Sequence, residues 1–201
     1  MKNKLLTILA IGWMIGVSFF ITTLHSWHNV SFKFNEPQSR NFIPHLVNEI
    51  KEHNVIHFLT PACSCSKVIF DHLLTRAPLS DANHSEKIVL LDDLDFEITR
   101  KLQASGYDVT TLRMAELKED LKSAVMAVPL LLIFDSEKDL RYAGGYSEKI
   151  ITPFSKIDVL DFLAKIKQGD KLTSYPVKGC AVSKEYQKLL DPMGIKYVST
   201  K

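Results

Sequence analysis

Three cysteines carry the chemistry this sequence offers, and two of them stand in the segment Thr60-Pro61-Ala62-Cys63-Ser64-Cys65-Ser66-Lys67. The residues before it, Asn54 to Thr60, are apolar and β-prone; those after it, Ser66 to Leu74, have apolar positions at helical spacing. A sulfur at such a strand-to-helix junction faces the unpaired N–H groups and the positive dipole end of the helix. Both favour the anion and can lower a thiol pKa well below its free value of about 8.5. The types and spacing therefore imply a nucleophilic thiolate, with soft-metal ligation as the competing chemistry.

The partner of Cys63 is open at this level. Cys63 and Cys65 can pair in a small, strained ring, and strained disulfides are easily reduced. Alternatively Cys63 attacks and Cys180 resolves, if the tail folds back; Gly179 in Lys178-Gly179-Cys180-Ala181 would allow a close approach. In a third reading Cys180 is a buried, inert core thiol. Ser64 and Ser66 read as helix-start residues without a catalytic role. Lys67 either reinforces the positive field or is solvated, and His72 reads as solvent-facing. Two thiolates two residues apart, with a histidine from a neighbouring element, would also suit a soft ion such as Cu(I). No ligand spacing supports a closed zinc site.

Of the elements that must position these sulfurs, Ser31 to Asn35 alternates as a short strand and Gln38 to His53 follows as an amphipathic helix. Val55 to Thr60 is a buried strand, Cys65 to Arg76 a helix stopped by Pro78, and Lys87 to Leu91 a third strand. Asp95 to Ser105 is a helix ended at Gly106, Tyr107 to Leu112 a short strand, and Met114 to Leu121 a helical turn. Pro129 to Asp135 is a continuous apolar strand, Ser136 to Asp139 a hairpin turn, Leu140 to Gly144 its partner and Ser155 to Lys167 a closing helix. Alternating strands and helices followed by a hairpin define an α/β fold with a mixed sheet flanked by helices.

This order resembles the thioredoxin-like superfamily over residues 31–168. Phe58 to Lys67 is similar to the family pattern of an apolar strand, a bend, C-x-x-C and lysine, but with C-x-C in its place. Cys63 then takes the position of the attacking cysteine, Ser66 that of the resolving one, and Cys65 an added position. Ala127-Val128-Pro129 resembles the family's apolar residue before a cis-proline, which implies that Val128 presents backbone groups to an extended substrate and that Pro129 faces the cysteine. His57, six residues before Cys63, falls where the family carries a buried acidic proton acceptor. Either it does similar work or it is a half-buried histidine satisfied by a neighbour.

The expected site is thus Cys63, Cys65, Cys180 and His57 for catalysis, with Val128 and Pro129 for substrate. The resemblance implies thiol–disulfide exchange with a protein or small-molecule partner and no organic cofactor or metal. Alternatives are a copper-binding or metallochaperone domain using Cys63 and Cys65, and a redox-inactive interaction domain. Peroxide reduction lacks a supporting motif beyond Thr60.

Leu5 to Leu24 is a run of 20 residues without a charge, long enough as a helix for a hydrocarbon core of about 30 Å. It is long for a signal-peptide core, and Thr22 to Trp27 offers no small-x-small cleavage site, so a retained anchor is expected. Lys2 and Lys4 keep residues 1–4 cytoplasmic by the positive-inside rule, placing the domain beyond the juxtamembrane residues 25–30 on the extracytoplasmic, periplasmic side of the inner membrane. Trp27 suits an interface. Setting aside Lys2 and Lys4 leaves 23 basic residues against 23 acidic ones, so neither a nucleic-acid surface nor an acidic tail is indicated. Residues 169–201 read as a tail carrying Cys180. Oligomeric state has no signature here.

Overall fold

The computed structural model describes residues 2–28, 31–32, 46, 50–93, 96–116, 124–182 and 186–188, in two units, 1–30 and 31–201. The first unit holds one helix, α1 (Lys2–His28), of 27 residues, or about 40 Å at the usual rise per residue. Its apolar side chains are exposed, with Leu6, Trp13 and Phe19 at 71%, 71% and 74%. The transmembrane span expected over 5–24 is not met: among the described residues, no helix is long and apolar enough to cross a membrane.

The second unit contains, in chain order, β1 (Ser31–Phe32), β2 (His53–Leu59), α2 (Ser64–Leu74), β3 (His84–Leu91), α3 (Glu97–Ala104), β4 (Asp108–Leu112), β5 (Ala127–Val128), β6 (Leu130–Asp135), β7 (Leu140–Gly144), α4 (Val159–Lys167), β8 (Val177–Lys178) and β9 (Cys180–Ala181). A five-stranded sheet runs β4-β3-β2-β6-β7. Its β2–β3 and β3–β4 pairs are parallel, and its β2–β6 and β6–β7 pairs antiparallel. This is the mixed sheet that the alternation implied, and its strand order is the thioredoxin-like one that the resemblance implied.

The middle strand, β2, is buried along its whole length. That is why Val55, Ile56, Phe58 and Leu59 are apolar on both faces instead of alternating with exposed polar residues, and why its polar members His53, Asn54 and His57 are buried. Val55 and Leu59 join Ile69, Phe70 and Leu73 of α2 and Phe162, Leu163 and Ile166 of α4 in one core, while Ile56 and Phe58, on the opposite face, are equally buried. The core ties α2 to its neighbours through a polar contact too: the Tyr107 hydroxyl donates to Leu73 O at 2.8 Å.

Several boundaries differ from expectation for local reasons. The apolar strand predicted over 129–135 starts at Leu130, as β6, because Pro129 has no N–H for a ladder; Pro129 also separates it from the preceding β5. The closing helix starts at Val159 instead of Ser155. Thr152 and Ser155 close a turn, Ser155 N donating to Thr152 O at 2.9 Å, and the Asp158 carboxylate then caps α4 by accepting from Asp161 N at 3.1 Å. The turn predicted over 114–121 is described only at Met114–Glu116, as one 3-10 turn. The helix predicted over 38–53 lies largely outside the described residues, and its last residue, His53, opens β2. Part of the predicted tail is strand: β8 pairs antiparallel with β1, and β9 with β5.

Candidate active site

The junction between β2 and α2 is built by its own hydrogen bonds. Cys63 N donates to Thr60 O at 3.1 Å and Lys67 N to Cys63 O at 3.0 Å, so Cys63 is the N-cap of α2 with extended backbone angles. Ser66 is fully buried, and its hydroxyl accepts from Thr60 N at 3.3 Å, bracing the bend. The position of the family's second cysteine is therefore a structural strut. Ser64 and Lys67 are exposed.

Cys63 itself is 0% exposed. As a thiol, its Sγ donates to Val128 O at 3.7 Å. As a thiolate it is the acceptor of several groups, and its pKa is held well below that of a free thiol. The Cys180 thiol contributes most and the Cys65 thiol next; burial opposes them, and the backbone N–H groups of Ser66 and Cys65 add to the stabilisation. No disulfide joins the three cysteines, and Cys65 and Cys180 are partly exposed. Cys65 Sγ also lies 4.0 Å from Ile151 O.

Cys180 reaches Cys63 because β9 pairs with β5 in the register Val128↔Cys180 and Ala127↔Ala181. Val182 N continues the pairing by donating to Met126 O at 2.9 Å. The Val128–Pro129 bond is cis. A Cβ on Gly179 would overlap Val128 O and stand 2.8 Å from Pro129 Cδ, so only glycine permits this approach. The structure thus brings Cys63, Cys65, Cys180, Val128 and Pro129 together. It also corrects one expectation: Val128 does not offer a free edge, because the chain's own β9 occupies it.

His57 is placed differently from a proton acceptor open to the thiol. It is fully buried, and both ring nitrogens are engaged, Nδ1 with the Tyr146 hydroxyl at 2.6 Å and Nε2 with Glu86 Oε1 at 2.7 Å. Arg76 forks onto Glu86, its Nη1 donating to Oε2 at 2.9 Å and its Nη2 to Oε1, while Leu79 N donates to Oε2 at 2.8 Å. Burial pushes the Glu86 pKa up, but the hydrogen bonds from His57 and Arg76 outweigh it and hold it at about 2. The ionised carboxylate accepts from His57 Nε2–H, and in the neutral tautomer Nδ1 accepts from Tyr146. Burial, then the Glu86 charge, keeps the Tyr146 hydroxyl protonated far above its usual range. His72 is half-buried, with its pKa lowered by burial first and then by the charges of Arg76 and His57.

Sequence reasoning did not find Glu86, Arg76 or Tyr146. The available signal was weak: an acidic residue two positions before the apolar run Ile88 to Leu91, which is equally common at an exposed strand start. Among the described residues, no group of three or more His, Cys, Asp or Glu side chains is arranged to hold a metal ion.

The mixed five-stranded sheet flanked by helices has a thioredoxin-like fold, with a cysteine capping the helix after its central strand and facing a Val-Pro pair. The chain belongs to the family described as Domain of unknown function (DUF6436), whose sequence model matches residues 32–182. That match ends at Val182, just after β9, and encloses both Cys63 and Cys180. Among curated proteins none matches the chain. An uncharacterized conserved protein from Geobacillus kaustophilus shares the fold at 17% identity and a TM-score of 0.50, over 66% of this chain and 77% of that one. A hypothetical protein from Sinorhizobium meliloti is similar at 17% identity and a TM-score of 0.49, over 66% and 79%. The thioredoxin domain of a thiol-disulfide oxidoreductase from Bacteroides vulgatus is more distant, at 14% identity and a TM-score of 0.40, over 57% and 79%.

Proposed function

We propose that this chain is a membrane-tethered thiol–disulfide oxidoreductase in which Cys63 is the nucleophile and Cys180 the resolving thiol. The observation that supports it is the Cys63 sulfur, set at the start of α2 against Val128 O, with β9 holding Cys180 in register with Val128. A thiolate so stabilised is present at neutral pH, where thiol exchange needs it.

The exchange runs in two displacements. The Cys63 thiolate attacks one sulfur of a substrate disulfide, forming a mixed disulfide and releasing the other substrate sulfur as a thiolate. Cys180, after losing its proton to that leaving group or to solvent, attacks Cys63 Sγ. The Cys63–Cys180 disulfide forms and the second substrate thiol leaves reduced. A dithiol partner then returns two electrons to the chain. Cys180 suits the second step better than Cys65 because β9 already holds it opposite Val128. A Cys63–Cys65 bond has to close within the N-cap and first turn, where residues two apart point to different sides of a helix.

The tether in this proposal is α1, through the uncharged run Leu5 to Leu24 with Lys2 and Lys4 on the cytoplasmic side. The domain then works at the outer, periplasmic face of the inner membrane. In the test, the reduced full-length chain is treated with oxidised glutathione and its peptides are mapped by mass spectrometry. A Cys63–Cys180 disulfide is expected, with Cys63→Ala abolishing turnover of an insulin-type substrate. A Cys63 that neither forms a mixed disulfide nor titrates below the usual thiol range overturns the proposal. A Cys63–Cys65 disulfide instead transfers the resolving role to Cys65.

A further inference from the structure

The segment from Tyr175 to Val182 does more than bring in Cys180: it lies across the site as a fastened strap. Gly145 N donates to Tyr175 O at 2.9 Å, and a Cβ on Gly144 would stand 2.5 Å from that same oxygen. A Cβ on Gly145 would stand 2.5 Å from Pro176 O. Further along, β8 pairs with β1, Lys178 Nζ donates to Glu148 O at 2.6 Å, and Gly179 crosses Val128 and Pro129 in contact that excludes any side chain. At each close approach the residue underneath or above is a glycine. Val177, Ala181 and Val182 are buried by the docking.

The consequence falls on Cys63. Its thiolate is stabilised and yet has no exposed surface, and the backbone edge beside it is already paired with an extended, cysteine-bearing strand. β9 therefore has the position and chemistry of an extended peptide whose cysteine engages Cys63. We propose that Tyr175 to Val182 is an intramolecular gate: an external cysteine-bearing segment reaches Cys63 only by displacing β9 from β5. The gate rests on the thiol-exchange reading for its purpose but not for its detection. With Cys63 and Cys180 reduced, β9 is held by a short ladder and is exchangeable. Once the Cys63–Cys180 disulfide forms, the strap is covalently fixed and the edge is shut. Docking of substrate is thereby confined to the reduced protein.

Alkylation of the reduced full-length chain by iodoacetamide, read at each cysteine by mass spectrometry, tests this. In the wild type, Cys63 is expected to react about tenfold or more slowly than Cys180, despite its larger thiolate fraction, because the strap must open first. Gly179→Val, whose side chain cannot fit against Val128, is expected to raise the Cys63 rate by about tenfold or more while leaving Cys65 within about twofold. Cys63 reacting as fast as Cys180 in the wild type overturns the gate without need of any variant. An unchanged Cys63 rate in a Gly179→Val chain with wild-type circular dichroism overturns it as well. Accessibility is measured apart from exchange, so the gate and the oxidoreductase reading fail separately. A Gly179→Val chain whose Cys63 is readily alkylated but forms no mixed disulfide with oxidised glutathione, a step that does not need Cys180, keeps the gate and removes the oxidoreductase; a fully active protein with an unshielded Cys63 does the reverse.

Discussion

Cys63 combines full burial with a stabilised anion, two properties that ordinarily oppose each other, because an uncompensated buried charge is costly. What reconciles them is the number of donors aimed at one sulfur, with the Cys180 thiol first among them. Cys180→Ala is therefore expected to raise the Cys63 pKa, and to raise it more than Cys65→Ala does. Thiolate absorbance near 240 nm against pH, with Cys63→Ala as the blank, gives both values; the opposite ranking would show that β9 does not supply the main donor. A second residue-scale prediction concerns Glu86, whose carboxyl is buried and held at about 2 against an ordinary 4.5. Its folded pKa lies below its unfolded one, so its contribution to stability is complete above the unfolded value and is lost as pH falls toward the folded one. Glu86→Gln leaves Arg76 and His57 facing a neutral amide and is expected to cost about 3–5 kcal/mol at pH 7. Denaturant midpoints should show the wild-type advantage shrinking between pH 4.5 and 2. Cys63 and Cys65 were legible because the helix start that follows an apolar strand is where a sulfur gains most as an anion, and both signals are local. Glu86 was not, since its partners His57 and Arg76 stand 29 and 10 residues away and nothing local marks the meeting.

At the scale of elements, what could be read was set by how much of each element's pattern is local. β6 is apolar up to Asp135, β2 is apolar from Val55 to Leu59 apart from His57, and α2 has an amphipathic face bounded by a bend and Pro78, so all three stand close to where periodicity puts them. The strands β8 and β9 are two residues each, too short to have a period, and they form only because β1 and β5 are there to receive them. This is why the return of Cys180 to the site was one of three open readings and not a deduction. The same distinction applies to the β2–α2 junction. Resemblance put Ser66 at the resolving position, whereas packing gives it the backbone N–H of Thr60. Ser66→Ala is expected to destabilise the chain by about 1–2 kcal/mol, the cost of one hydrogen bond with its donor left unsatisfied. It should also leave thiol exchange at Cys63 within about threefold of wild type, since the hydroxyl takes no part in the electron balance. Urea denaturation and exchange kinetics on the same preparation separate these effects, and a complete loss of exchange with stability intact would restore a direct role for Ser66.

For the molecule as a whole, the question is where a stabilised thiolate meets its substrate, and the two units answer it differently. The second unit carries every cysteine and a balanced charge, so nothing in its composition draws it to nucleic acid or to an anionic surface. The first is a 27-residue helix with exposed Leu6, Trp13 and Phe19, and the family match begins at residue 32, just beyond it. Exposed apolar surface of that extent needs a cover, at roughly 25 cal/mol for each Å² left in water. In the proposed tether, a bilayer covers the uncharged stretch from Leu5 to Leu24, with the lysines on one side of it only. The full chain is accordingly expected to sediment with membranes and to resist extraction by alkaline carbonate. A chain lacking residues 1–30 should be released while keeping the same Cys63 pKa, because each donor to that sulfur lies in the second unit. Recovery of the full chain in the soluble fraction would remove the tether and leave the thiol chemistry standing. Labelling of an Asn3→Cys chain by a membrane-impermeant reagent only after the membrane is permeabilised would place the N-terminus on the cytoplasmic side, as the proposed orientation requires.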